Sequence, residues 1–202
     1  VGGAEALQNF ANWWTYYGNR NRAMIAGITN ALKGLTNMRV GSFPFVDPPA
    51  LNSNLTMYDM GYSTQKATLI NAVRGLNAGG GSTPSRRGTA YMINQFRRVD
   101  NGAPVRYECQ RNAAMLFTDG YTNDSGGNLS TIKGYFNGIL GNPVNDQDSA
   151  LGAPYGGPPF SGGVASENTI ADYAMWGYLT NPRPDLPVGR VPIPSSCPTT
   201  GT

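Results

Sequence analysis

The feature that most constrains this sequence is an apolar run, Asn112-Ala-Ala-Met-Leu-Phe-Thr118, that stops at Asp119-Gly120. A half-buried strand alternates apolar and polar side chains. A continuous run closed by turn residues is instead the pattern of a strand covered on both faces, as in a parallel sheet between helices. Helical periodicity elsewhere agrees with that reading. Leu7, Phe10, Trp14, Tyr17, Met24, Ile28, Ala31 and Leu35 recur at three- and four-residue steps, apart from Asn21, and predict one long first helix. The same spacing favours core packing over an adhesive patch for the aromatic run Trp13-Trp14-Thr-Tyr-Tyr17.

Ile70, Val73 and Leu76 predict a second helix over residues 64–76, and Thr83-Pro84 reads as N-cap and first position of a third that runs to Phe96. Ile170, Ala171, Ala174, Met175, Tyr178 and Leu179 form the stripe of a last helix capped by Ser166 and ended by Asn181-Pro182. Between these elements lie a short extended segment at 38–45, an irregular connection at 46–63 and a long surface loop at 138–163. The expected fold class is α/β, a mostly parallel sheet flanked by helices.

Composition narrows the function. The chain has 202 residues, the size of one domain, and no histidine, which excludes Ser-His-Asp and Cys-His catalysis and imidazole-ligated zinc or haem. The net charge of +3 is spread without a basic block, so nucleic acid is not an expected partner. No stretch is long and apolar enough to span a bilayer. Only 13% of residues are charged, while 27 are glycine and 15 proline, a balance that suits a loop-rich exported protein. Cys109 and Cys197 are too far apart for a CxxC pair or a zinc knuckle; they are expected to form a disulfide pinning the tail, the alternative being two thiols with other fates. Asp146 and Asp148 suit either Ca²⁺ or turn chemistry.

Two segments carry chemistry: Gly79-Gly-Gly-Ser-Thr-Pro84 before a helix, and Leu116-Phe-Thr-Asp-Gly-Tyr-Thr-Asn123 at the end of the apolar run. In an open α/β fold both lie at the carboxyl edge of the sheet, where loops diverge and ligands bind. The Thr83 hydroxyl and Asp119 carboxylate suit a hard divalent cation, Mg²⁺ or Ca²⁺, that keeps several waters. The plainer reading makes Thr83 a helix cap and Asp119 a turn residue. A phosphate loop is disfavoured because no lysine precedes the hydroxyl residue, and no Gly-x-Ser-x-Gly elbow occurs, so an enzyme is not expected.

The Gly-Gly-Ser-Thr-Pro loop followed by an apolar strand and Thr-Asp-Gly resembles the second and third metal-site loops of von Willebrand A domains. Asn12-Trp-Trp-Thr-Tyr-Tyr17, Arg106-Tyr-Glu-Cys-Gln-Arg-Asn112, Asn168-Thr-Ile-Ala-Asp-Tyr-Ala-Met175 and Thr180-Asn-Pro-Arg-Pro-Asp-Leu186 resemble stretches of the PilC/PilY pilus-tip proteins, in family order. The resemblance implies a partial von Willebrand A-like domain over 1–187 and a proline-rich tail or linker over 188–202. It implies a pilus tip-associated adhesin and assembly factor at the bacterial surface. Its expected partners are minor pilins or tip proteins and a host or surface receptor. Thr83 and Asp119 fall at the threonine and aspartate of that family's metal-ion-dependent adhesion site. The alternative is a structural segment of the pilus tip with no metal. No Asp-x-Ser-x-Ser occurs, and no apolar strand precedes the first helix. The expectation is therefore a vacant sheet position beside 113–118, filled by an upstream segment of the same precursor or by a partner's strand.

Overall fold

The computed structural model describes residues 2–44, 49–76, 82–118, 122–123 and 169–187. The chain divides into two compact units, Val1–Pro44 with Thr56–Gly81 and Phe45–Leu55 with Ser82–Thr202.

The first unit begins with two helices where the periodicity predicts one. Helix α1 (Ala4–Tyr17) ends at Gly18, and α2 (Arg20–Gly34) restarts behind Asn19, whose side-chain oxygen accepts from the Arg22 amide at 2.9 Å. An N-cap oxygen of this kind satisfies an orphan donor and stabilises a helix start by about 1 kcal/mol. Gly18 is required by space: a Cβ there would stand 2.4 Å from the Trp14 carbonyl oxygen. The Gly-Asn pair thus interrupts a stripe that otherwise runs through both helices.

Strand β1 (Arg39–Val40) follows a turn at Asn37, which holds φ at 54°; asparagine tolerates this left-handed region better than most residues. β1 pairs antiparallel with β2 (Tyr58–Asp59) in the register Arg39 to Asp59 and Val40 to Tyr58. Helix α3 (Ser63–Arg74) matches the predicted second helix. Leu32, Met60, Leu69, Ile70 and Val73 form the core of this unit, with Ile25, Ile28, Val40 and Tyr58 packed on it. Lys66 Nζ donates to the Lys33 carbonyl at 3.2 Å, placing a cation at the C-terminal end of α2, where the helix dipole favours it.

Helix α4 (Ser85–Phe96) and helix α5 (Ile170–Leu179) make the core of the second unit through Ala90, Ile93, Tyr173 and Trp176, with Leu51 against them. They approach closely because position 177 is glycine: a Cβ there would lie 3.1 Å from two carbons of Ile93. The start of α5 differs from expectation. Thr169, not Ser166, is the cap, and with Asp172 it forms a reciprocal capping box. The buried face differs too: Asp172, Tyr173 and Trp176 are buried, whereas Ala171, Ala174 and Tyr178 of the predicted stripe are exposed.

Two expectations about burial are corrected. The aromatic residues of α1 do not enter a core; no residue of that helix is buried. Residues 112–118 adopt no regular secondary structure and are exposed except for half-buried Leu116, with Met115 72% and Phe117 47% accessible. Apolar pattern alone predicts burial only where another element supplies the cover, and among the described residues the only sheet is the antiparallel β1–β2 pair. The predicted tail over 188–202, the loop at 138–163 and Ser166 lie outside the described residues.

Candidate functional site

The site predicted from the two chemical loops is built at the start of α4. The helix begins one residue later than the sequence indicates: Pro84 occupies the cap position with ψ at 60°, and Ser85 is the first helical residue. Proline has no amide hydrogen to leave unsatisfied there. Thr83 is consequently not the cap. It sits in the approach to the helix, half-buried, and its backbone is the meeting point of the two loops. The Thr83 amide donates to Asn123 Oδ1, and the Thr83 carbonyl accepts from the Asn123 amide at 3.1 Å and from the Thr122 hydroxyl at 3.2 Å.

This two-way clamp fixes Thr83 by its backbone and leaves its own hydroxyl outside the hydrogen bonds described there. Asp119 lies outside the described residues. The segment that carries it returns to Thr83 at Thr122 and Asn123, which the sequence reading quoted within the motif but gave no role. A clue was available: Asn and Thr just beyond an Asp-Gly turn are residue types that bond backbone in neighbouring loops.

The described donor at this junction is an oxygen, the Thr83 hydroxyl. A hydroxyl oxygen is a ligand type that Mg²⁺ and Ca²⁺ accept, and each takes six or more oxygens. Among the described residues no group of three or more Cys, Asp or Glu side chains is placed to hold a metal. Ser85, fully buried at the first position of α4, has a hydroxyl with no hydrogen-bond partner among the described residues.

Residues 114 and 116 of the exposed apolar run line a cavity of about 280 Å³ with Met92 and Phe96 of α4 and Ile170 of α5. Its one side-chain hydroxyl, from Thr89, is already donated to the Ser85 carbonyl at 2.9 Å. Among the described residues its lining is predominantly apolar.

A pair of arginines holds the far end of this unit together. Arg98 donates to both Asp100 oxygens at 2.8 and 2.7 Å, to the Leu55 carbonyl at 2.8 Å and to Gln95 Oε1 at 2.9 Å. Buried Gln95 also accepts from the Leu55 amide at 2.8 Å and donates to the Ser53 carbonyl at 2.9 Å. Arg183 repeats the fork on Asp185 at 2.7 and 2.6 Å and donates to the carbonyls of Arg98 and Val105. The Arg98 guanidinium holds the Asp100 carboxyl down at about 2, chiefly by its hydrogen bond. Arg183 lowers Asp185 and is itself raised, again chiefly through their hydrogen bonds. Arg183 and Asp185 fall in the Thr180 to Leu186 motif singled out by resemblance, and the structure gives that motif a structural role.

Cys109 is exposed as a free thiol; its expected partner Cys197 lies outside the described residues, as do Asp146 and Asp148. No helix among the described residues is long and apolar enough to cross a membrane.

Comparison with curated proteins points to the type IV pilus biogenesis factors as the class of relative. The particular relative is PilY1 of Pseudomonas aeruginosa (strain PAK), to which the chain is 25% identical over 216 residues. That similarity covers 92% of this chain but only 16% of the relative, so the chain corresponds to about one-sixth of that protein. No family model matches the chain, and no solved structure matches it. The chain is thus distantly similar to part of a type IV pilus biogenesis factor.

Proposed function

We propose that this chain is a binding segment of a pilus tip-associated adhesin and assembly factor, built on a partial von Willebrand A-like fold, that engages other proteins and carries out no catalysis. The observation that supports it most is the clamp at Thr83, which joins the glycine-rich loop to the loop after Asp119. In this reading Thr83 supplies a hydroxyl and Asp119 a carboxylate to a divalent cation, Mg²⁺ or Ca²⁺. The cation, when bound, offers an open position to a carboxylate of the partner. The partners in this reading are minor pilins or tip proteins and a surface receptor. The exposed run at 113–118 takes a further strand, from the same precursor or from a partner.

A second reading, a structural pilus-tip segment with no functional metal, is favoured by the Arg98 and Arg183 networks, the second of which uses the charged groups of the Thr180 to Leu186 motif to hold the fold. The two are separated in bacteria that carry Thr83→Ala or Asp119→Ala in the full-length protein, scored for pilus number and for surface attachment in Mg²⁺ and in chelator. The adhesive reading expects pilus number to hold while cation-dependent attachment falls about tenfold, the loss of roughly 1.4 kcal/mol of binding. Attachment that is unchanged by both substitutions and by chelator rejects it in favour of the scaffold.

A further inference from the structure

Asn101 and Gly102 directly follow the Arg98–Asp100 fork and form a pair that is chemically labile in any flexible chain. Glycine has no Cβ to shield its backbone nitrogen, so that nitrogen can reach the side-chain carbonyl carbon of a preceding asparagine. In the reaction the Gly102 nitrogen bonds to Asn101 Cγ while the Cγ–Nδ2 bond breaks, and the side-chain nitrogen leaves as ammonia with the proton shed by the amide. Water then opens the succinimide ring at either carbonyl, giving aspartate or isoaspartate. The isoaspartate product puts an extra backbone atom and a new negative charge into the turn that leads to buried Ala103 and Val105.

The fold holds the pair in a turn that opposes this reaction. Both residues are exposed. The Ala103 amide donates to the Asp100 carbonyl at 2.9 Å, and the Gly102 amide donates to Asp100 Oδ1 at 2.8 Å, which ties up the proton that the attack must shed. Asp100 is gripped in turn by Arg98, whose guanidinium also donates to the Leu55 carbonyl and to Gln95, so the carboxylate is anchored to the interior of its unit. Space agrees with this. A Cβ at position 102 would stand 3.0 Å from Asp100 Oδ1 and 3.1 Å from Arg98 Nη2. The fork that closes over residue 102 therefore favours glycine there, and with glycine comes the labile pair.

We propose that Asn101-Gly102 is a spontaneous deamidation site latched by Asp100, which reacts only when the turn releases the Gly102 amide. A hydrogen bond to a carboxylate is stronger than one to a neutral oxygen. Attack needs the nitrogen within about 3 to 3.5 Å of the carbon and aligned with its carbonyl, so the latch has to open first and local opening sets the rate. A carboxylate at this distance could instead act as a base and hasten the attack. Arg98 holds the Asp100 carboxyl down at about 2, chiefly by its hydrogen bond, and so weak a base does not take a proton from a backbone amide at neutral pH.

Peptide mapping by mass spectrometry of the full chain, aged at neutral pH, tests this, with the product at Asn101 resolved from that at Asn137, which precedes the other Asn-Gly pair of the sequence. Each rate is divided by that of the same variant unfolded in guanidinium chloride, which removes the influence of local sequence. The wild-type ratio should lie below about one-tenth, because only the opened turn reacts. Asp100→Ala should raise the ratio about fivefold or more with the circular dichroism spectrum retained, since that side chain is 45% accessible. Asp100→Asn, which keeps a neutral acceptor, should fall between the two. Gly177→Val, which strains the contact of α4 with α5 and does not touch the turn, should keep the wild-type ratio. A wild-type ratio near one means that no latch exists. A ratio unchanged or lowered in Asp100→Ala removes Asp100 from the role, and an equal rise in Gly177→Val assigns the reaction to opening of the whole unit; any of these results overturns the proposal.

Discussion

Asp100 and Asp185 each face a guanidinium that is nearly buried, with Arg98 and Arg183 side chains 11% and 9% accessible, while the carboxylates themselves are 45% and 46% accessible. Their folded-state acidities lie below the ordinary value of 3.8, and Asp100 reaches about 2. A carboxylate with a depressed folded pKa contributes stability that is complete above its unfolded pKa and is lost as pH falls through the folded one. The second unit is therefore expected to hold constant stability from neutral pH down to about 4 and to weaken between about 4 and 2. Half-exposed carboxylates are screened, so the loss is modest for each pair. Urea midpoints measured across that range check it. Asp100→Asn should remove part of the acid sensitivity, and an undiminished slope in that variant contradicts the assignment. Neither fork was legible in the sequence. Arg98 and Asp100 stand two residues apart, as do Arg183 and Asp185, and such spacing is common at any solvated surface. What distinguishes these arginines is the set of backbone carbonyls brought to them by the fold, from Leu55 to Arg98 and from Arg98 and Val105 to Arg183.

At the scale of elements, α4 and α5 meet where Gly177 lets the Ile93 side chain lie against helix backbone. Gly177→Val would drive two methyl groups into Ile93 and is expected to destabilise the second unit by about 1 to 3 kcal/mol, the usual cost of overpacking. Thermal melting should show it, and a melting temperature equal to wild type would mean the helices separate there at no cost. The periodicity located α3 to within a residue at its start because Ile70 and Val73 do enter a core. It misjudged α1 and α5 for separate reasons. In α1 the stripe is real but uncovered within its unit. In α5 the apolar count favoured Ala171 and Ala174, whereas burial follows the larger aromatic bodies of Tyr173 and Trp176, with Asp172 drawn in by its bonds to Thr169. A cap is decided by where its acceptor meets the first turn, and Thr169 with Asp172 carries the reciprocal threonine and acidic pair that Ser166 lacks.

At the scale of the whole molecule, Thr83 meets Thr122 and Asn123 of the second loop, while Asp119, the other residue of the expected pair, lies outside the described residues. The sequence did not show that the contact runs through backbone and Asn123, because a side chain bonding to a distant amide leaves no periodic trace. Among the described residues the run at 113–118 lines a recess on one side and is exposed on the other.

The Arg183 clasp has a kinetic consequence. Its bond to the Arg98 carbonyl joins positions 85 apart in the chain, and that to Val105 spans 78, whereas the Lys66 link in the first unit spans 33. Long loops must be closed before such contacts repay their entropy, and chains dominated by distant contacts fold more slowly. The first unit should therefore acquire its structure ahead of the second, leaving a species in which α2 and α3 are protected while α5 still exchanges. Pulsed hydrogen exchange during refolding would resolve that order, and simultaneous protection of Leu69 and Trp176 amides would refute it. A chain that completes its last clasp late stays open to proteases at the Arg183 end for longest, so the order of folding also sets where it is first cut.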